Sequence, residues 1–370
     1  LDRGLTLARE ALALKERWLP DGHRELFYTR SNLAAGLLAA RRFAEAAGEF
    51  ERLLADAQRT LGEHHPLTTG IEANLGYALR EAGDLRGAFA RLEHASKVAT
   101  AIGMTAQPSP AYFAVELGAA ALALREFDRA RASFTTAEQL LAANGDELVA
   151  VSLHEGLGDL AQIRGDLATA RAEHQTSVNL RRKLHRAQHF DVAYGETRFA
   201  AMLLRAGAAD EALEHLRGAL AIQESISPDG LEVAEIFELQ GRAQLLRGDV
   251  FAATAALTRS LSIREAKAPG SREVARSLLY LGEARLADGP AEALTSLRRA
   301  AAILAGVAAD SEDRANLQFV LAKALWSVGA VDEATEAAQT AARLWRALGD
   351  GFGGEAAAVE SWTESLSVVR

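Results

Sequence analysis

The residues able to do chemistry in this chain are few. His185 and His189 stand four apart, a spacing that puts two imidazoles on one helix face as zinc ligands would need. No third ligand accompanies them, and they fall where one helical segment ends and the next begins, so no metal is expected. His64-His65 sits directly before Pro66 and reads as a loop element. His174 takes a packing place and reads as a satisfied, partly buried histidine rather than a base. Gly349-Asp350-Gly351-Phe352-Gly353-Gly354 is glycine-rich but follows a helical pattern, not a strand. It lacks the setting of a phosphate loop and reads as a linker. Arg181-Arg182-Lys183 suits the negative end of a helix. No Gly-x-Ser-x-Gly, His-Glu-x-x-His or kinase signature occurs, so neither catalysis nor a cofactor is expected.

Composition narrows the classes further. The formal net charge is −9, which disfavours nucleic acid, whose binding needs a basic footprint, and an anionic membrane surface alike. There is no cysteine, which removes disulfides, zinc-thiolate sites and thiol nucleophiles and fits a cytoplasmic setting. No stretch approaches the roughly 18 apolar residues of a membrane span. The chain opens on Leu1 and is expected to be a piece of something longer. The chemistry left is that of binding, and the question becomes which elements present it.

Those elements repeat. Ala219-Leu220-Ala221-Ile222-Gln223-Glu224 returns as Ser260-Leu261-Ser262-Ile263-Arg264-Glu265, and earlier as Ala11-Leu12-Ala13-Leu14-Lys15-Glu16. An alanine recurs every 40–42 residues: Ala46, Ala88, Ala130, Ala170, Ala212, Ala253, Ala293 and Ala334. Four residues after each stands Phe50, Leu92, Phe134, His174, Leu216, Leu257, Leu297 or Ala338. Seven residues after each stands a residue that is small in all copies but Leu53. Small residues let two helix axes approach, and bulky neighbours fill the gaps beside them. Pairs such as Gly83-Asp84, Gly165-Asp166 and Gly248-Asp249 precede the alanines; glycine ends one helix and the acid caps the next. Each unit is therefore predicted to be helix, tight turn, helix. Pro20, Pro66, Pro108, Pro110, Pro228 and Pro269 fall between units, and Pro290 falls where a second helix starts, as helix interiors exclude proline.

The stretch Leu61-Gly62-Glu63-His64-His65-Pro66, with Asn74-Leu75-Gly76 and Ala82-Gly83-Asp84 after it, resembles the tetratricopeptide repeat family, in its longer kinesin-light-chain-like variety. The resemblance implies an all-α, right-handed superhelical solenoid of antiparallel helix pairs. Residues 1–22 are expected to hold the second helix of an incomplete repeat. Eight full repeats are expected over 23–348, and a glycine-rich linker with a capping helix over 349–370. One departure stands out. The aromatic common early in the family's first helix is replaced by Arg30, Glu72, Ala114, His154, Glu196, Phe237, Leu278 and Gln318, so a consensus ligand is not implied.

Helical phase then assigns a face to the first helices. At about 100° per residue, Leu33 and Leu37 lie opposite Tyr28, Asn32 and Ala35, so those three positions are expected to face a groove. Carried along the array, the first position reads Tyr28, Gly70, Tyr112, Ser152, Tyr194, Glu235, Arg276, Asn316. The second reads Asn32, Asn74, Glu116, Gly156, Arg198, Leu239, Tyr280, Val320, and the third Ala35, Tyr77, Ala119, Asp159, Ala201, Arg242, Glu283, Lys323. An asparagine amide donates to and accepts from a peptide backbone at once, and tyrosine gives contact area with a hydroxyl at low entropy cost. The expected groove residues are Tyr28, Asn32, Asn74, Tyr77, Tyr112, Tyr194, Arg198, Arg242 and Tyr280. In similar repeat proteins, first-helix asparagines grip ligand backbone, which is the role the resemblance implies for Asn32 and Asn74. The tyrosines have a second reading, packing against the neighbouring unit. The expected function is a scaffold that holds a protein or peptide, as part of a larger, bacterial signalling or regulatory protein. The alternatives are a sensor arm of a kinase or protease, or of a transcription regulator.

Overall fold

The structure is a computed structural model that describes residues 2–20, 22–40, 42–105, 109–287, 289–305, 312–349 and 352–367. Pro108, Asp350, Gly351 and the end of the expected capping helix lie outside the described residues. Among the described residues there are eighteen α-helices and no strand. The chain is all-α, and it divides into two compact units, residues 1–160 and 161–370.

The first unit contains α1 (Asp2–Trp18), α2 (Arg24–Ala39), α3 (Phe43–Leu61), α4 (Pro66–Ala82), α5 (Leu85–Ala101), α6 (Pro110–Ala123), α7 (Phe127–Asn144) and most of α8 (Glu147–Ile163). From α1 to α7, each helix packs on the next, and the first helices α4 and α6 also touch. The recurring alanines and their neighbours explain the packing. Ala46, Ala88 and Ala130 are fully buried, as are Leu92 and Phe134, and Phe50 nearly so. The closest approach is made by glycine. A Cβ on Gly118 of α6 would lie 2.5 Å from the Phe134 ring of α7, and one on Gly156 of α8 would lie 2.5 Å from the same ring. One aromatic ring thus fills the hollows left by two glycines, which sets how near the three helices come.

The second unit contains α9 (Leu167–Leu184), α10 (Phe190–Arg205), α11 (Ala209–Ile226), α12 (Leu231–Arg247), α13 (Val250–Lys267), α14 (Arg272–Ala284), α15 (Pro290–Ala305), α16 (Glu312–Ser327), α17 (Val331–Ala347) and α18 (Gly353–Ser367). Each helix packs on the next, and the first helices α10, α12, α14 and α16 touch in series. Gly241 and Gly282 face Leu257 and Leu297 as Gly118 faces Phe134; a Cβ on each glycine would lie 2.5 and 2.7 Å from the respective leucine side chain. His174 is fully buried rather than partly so, since it fills the same place as those leucines. In α18, Val359 and Ala356 are buried, and Trp362 stands edge-on to Phe319 and Trp326 of α16, with centroids 5.7 and 6.5 Å away.

The turns follow the residues foreseen for them. Gly83 and Gly248 take left-handed backbone, which side chains with a Cβ rarely adopt. Asp84, Asp166 and Asp249 then accept from the backbone N–H groups of Gly87, Thr169 and Ala252. Histidine is a second capping residue. Nδ1 of His23, His65 and His189 accepts from the N–H of Glu25, Leu67 and Asp191, each at 3.2 Å, at the starts of α2, α4 and α10.

Candidate functional site

The expected face lies on the first helices, and each unit presents its own part of it. In the first unit, Tyr28, Asn32 and Ala35 of α2 are exposed, while Leu33 and Leu37 are buried. On α4, Asn74 and Tyr77 are half-buried, and on α6 Tyr112 is half-buried beside Phe113. Arg80, one turn beyond Tyr77, joins these helices. Its guanidinium lies over the Tyr77 ring, 5.3 Å from the centroid, and its Nη2 is 3.1 Å from both Glu81 Oε1 and Glu116 Oε2.

Glu116 is the unusual member of this group. It is only 6% exposed. The approach of Arg80 satisfies distance but not hydrogen-bond geometry, and Glu116 Oε2 and Arg80 Nε are buried without a hydrogen-bond partner. Burial pushes the Glu116 carboxyl above its usual range, an effect that Arg80 offsets only in part and that Glu81 adds to. The Tyr112 hydroxyl is held well above its ordinary value, chiefly by burial and then by the Glu116 charge.

In the second unit, Tyr194 of α10 is exposed, and Arg198 and Arg242 are half-buried. Gly70, Glu116 and Gly156 in the first unit and Leu239 and Val320 in the second, assigned to the same face by helical phase, are buried instead. Glu238 of α12, 1% exposed, is the buried carboxylate of this unit that binds two arginines. It bonds the buried Arg264 of α13, and Arg276 of α14 donates from Nε to its Oε2 at 3.1 Å, with Oε1 2.8 Å away. Arg264 Nη1 also donates to Ser277 Oγ at 2.8 Å and Glu273 O at 3.0 Å. Burial opposes the charge on Glu238, but Arg276 and Arg264 outweigh it and hold the carboxyl below its usual range. Arg242 lies over the Tyr280 ring at 4.8 Å, and burial pushes the Tyr280 hydroxyl up to about 12. Burial also raises Glu283, against the pull of Lys323 and Arg242.

A second set of charges lies where the family's aromatic is missing. Arg30 donates to Glu16 of α1 at 2.8 Å and to Asp56 of α3 at 2.7 Å. Glu72 pairs with His94 of α5 at 2.6 Å and with Arg91 at 3.4 Å. Glu196 takes Arg182 of α9 at 2.7 Å and His215 of α11 at 2.5 Å. A position read as drift from the pattern is thus an ionic junction that ties a first helix to its neighbours. Sequence reasoning also missed Arg80, Glu238 and Arg264. Arg264 left a signal, because it occupies the place of Gln223 in the recurring motif and both are buried. The His185 and His189 rings stack at 4.2 Å, with His185 Nε2 3.1 Å from Asp191. Among the described residues no cluster of three or more metal-ligating side chains occurs, and no helix is long and apolar enough to cross a membrane.

The profile of the tetratricopeptide repeat family matches residues 27–67. No curated protein matches the chain. Among solved structures, the apo quorum sensor NprR from B. thuringiensis aligns with TM-score 0.63 at 12% identity, over 91% of this chain and 92% of that one. A Rap protein complexed with Competence and Sporulation Factor aligns with TM-score 0.60 at 14% identity, over 94% and 99%. The Rap conjugation gene regulator of plasmid pLS20, in complex with the Phr* peptide, aligns with TM-score 0.57 at 13% identity, over 84% and 76%. At these identities the likeness is one of fold.

Proposed function

We propose that this tetratricopeptide-repeat chain is a scaffold that holds a polypeptide on the face of its first helices, as part of a longer signalling or regulatory protein in the cytoplasm. The observation that carries this reading is the composition of that face. Tyr28 and Asn32 stand exposed on α2, with Asn74 and Tyr77 half-buried on the neighbouring first helix α4. Amide groups that both donate and accept, beside tyrosine rings, suit an extended backbone with side chains to either side. The fold supports the reading through its likeness to a regulator described in complex with a peptide. In this reading α18 covers apolar side chains of α16 and α17, and the ionic junctions set helix spacing without touching the ligand.

The test is isothermal titration of the 370-residue chain with a polypeptide identified by pull-down. Asn74→Ala combined with Tyr77→Ala is expected to weaken binding about tenfold or more, the scale of a hot-spot loss. Unchanged affinity in that variant would remove the face from the function.

A further inference from the structure

The face positions read from helical phase differ in charge between the two units. Each contributes four first helices with three face positions apiece. In the first unit none of those positions is Lys or Arg, while Glu116 and Asp159 are acidic and three are tyrosine. In the second unit Arg198, Arg242, Arg276 and Lys323 outnumber Glu235 and Glu283. The cation beside Glu116 is shared: Arg80 lies 3.1 Å from both Glu81 and Glu116. The local balance is therefore two carboxylates to one guanidinium, and Glu116 Oε2 is left without a hydrogen bond. Glu238 in the second unit shows the complete arrangement, with two guanidiniums bonded to one carboxylate. Glu116 is short of one cation by that standard.

We infer that the first unit's face takes a basic side chain of the bound polypeptide, a lysine or an arginine, and that this group supplies the second cation for Glu116. The inference rests on the polypeptide-binding reading above and adds the chemical class of the ligand to it. Three physical effects favour a cation here. A carboxylate buried beside a single shared guanidinium gains Coulomb energy from a second positive charge, and it does so where water screens poorly. Tyrosine faces attract ammonium and guanidinium groups through the ring quadrupole. A ligand carboxylate would meet Glu116 and Glu81 as like charges, which costs affinity and so adds discrimination.

The experiment incubates the 370-residue chain with a pool of acetylated, amidated octapeptides randomised at every position and reads the retained fraction by mass spectrometry. Lysine and arginine are expected to be enriched over aspartate and glutamate by about tenfold at one position, the effect of one well-formed ion pair. Glu116→Gln should abolish that enrichment while peptides are still retained. Glu336→Gln, on the exposed surface of α17, should leave it intact and so exclude general attraction to an acidic chain. Should Glu116→Gln fail to fold, Glu81→Gln removes the other carboxylate at a more exposed position and is expected to reduce the enrichment. Retention of neutral or acidic peptides, or an enrichment that survives both glutamate variants, overturns the inference and leaves the scaffold reading standing. Retention of no peptide overturns the scaffold reading and the inference with it.

Discussion

Glu116 in the first unit and Glu238 in the second are both buried glutamates on first helices, and their surroundings make them opposites. Glu238 is bonded by Arg264 and Arg276, with Arg264 held further by Ser277 and Glu273. Its carboxyl is pushed below the usual range. Glu116 shares Arg80 with Glu81 and is pushed above that range. Depth does not separate them, since both are buried; the number and geometry of cations does. A charge taken out of water is tolerated only where its partners replace the lost hydration. Glu238 is a finished structural contact, whereas Glu116 keeps an oxygen without a hydrogen bond.

The contrast is broken most directly by neutralising Glu238. Glu238→Gln leaves Arg264, 2% exposed, as a buried charge whose remaining partners are neutral. Breaking a buried pair in this way costs about 3–5 kcal/mol, so the urea midpoint should fall steeply. A loss below about 1 kcal/mol would place Glu238 among surface pairs and would end the distinction between the two glutamates.

A second contrast, between Phe134 in the first unit and Leu257 in the second, lies in how each fills the hollow beside a first-helix glycine. Phe134 sits between Gly118 and Gly156, so its ring has no direction in which to retreat. Leu257 meets Gly241 with the branched end of a flexible chain. Gly118→Ala is therefore expected to cost more than Gly241→Ala, within the range of about 1–3 kcal/mol for overpacking a dense core. Thermal melts of the two variants decide it. Equal losses would mean that the backbone, not the ring, yields.

The repeat and its register were legible in the sequence because the constraint behind them is local. Small residues at Ala88 and Ala95 and a bulky one at Leu92 lie within two turns of one helix, and all three are fully buried. The same holds for Gly-Asp turns, where the glycine conformation and the capping bond involve adjacent residues. The exposure of Tyr28 and Asn32 was legible for the same reason. The ionic junctions were not. Arg30 finds Glu16 and Asp56 on two different helices, and nothing in the residues around Arg30 announces partners 14 and 26 positions away. Glu238 and Arg264 likewise stand 26 apart. Leu239 and Val320, like Glu116, are buried at positions that helical phase assigned to the open face, because the phase of one helix does not record what packs against the next.

The smallest expected effect belongs to Glu116, and its dependence on pH is what separates it from Glu238. A carboxyl whose folded pKa is raised is harder to charge in the folded chain than in the unfolded one. It contributes stability that is fully present below the unfolded carboxylate value and is lost as pH rises through the raised folded value. Glu238, with its pKa lowered, contributes stability present above the unfolded value and lost as pH falls through the lowered folded value. Glu116→Gln removes the charge that burial penalises and keeps the shape of the side chain. The variant should therefore melt no lower than the parent chain at about pH 7, and its advantage should shrink toward about pH 4.5, where the parent's Glu116 is itself protonated. Glu238→Gln should behave in reverse, its deficit at neutral pH narrowing only in stronger acid. Melting curves of the three chains from neutral pH down to about pH 4 test both signs at once. If Glu116→Gln lost stability at neutral pH, the carboxylate would already be satisfied from within, and the face of the first unit would hold no unmet charge for a ligand's cation to answer.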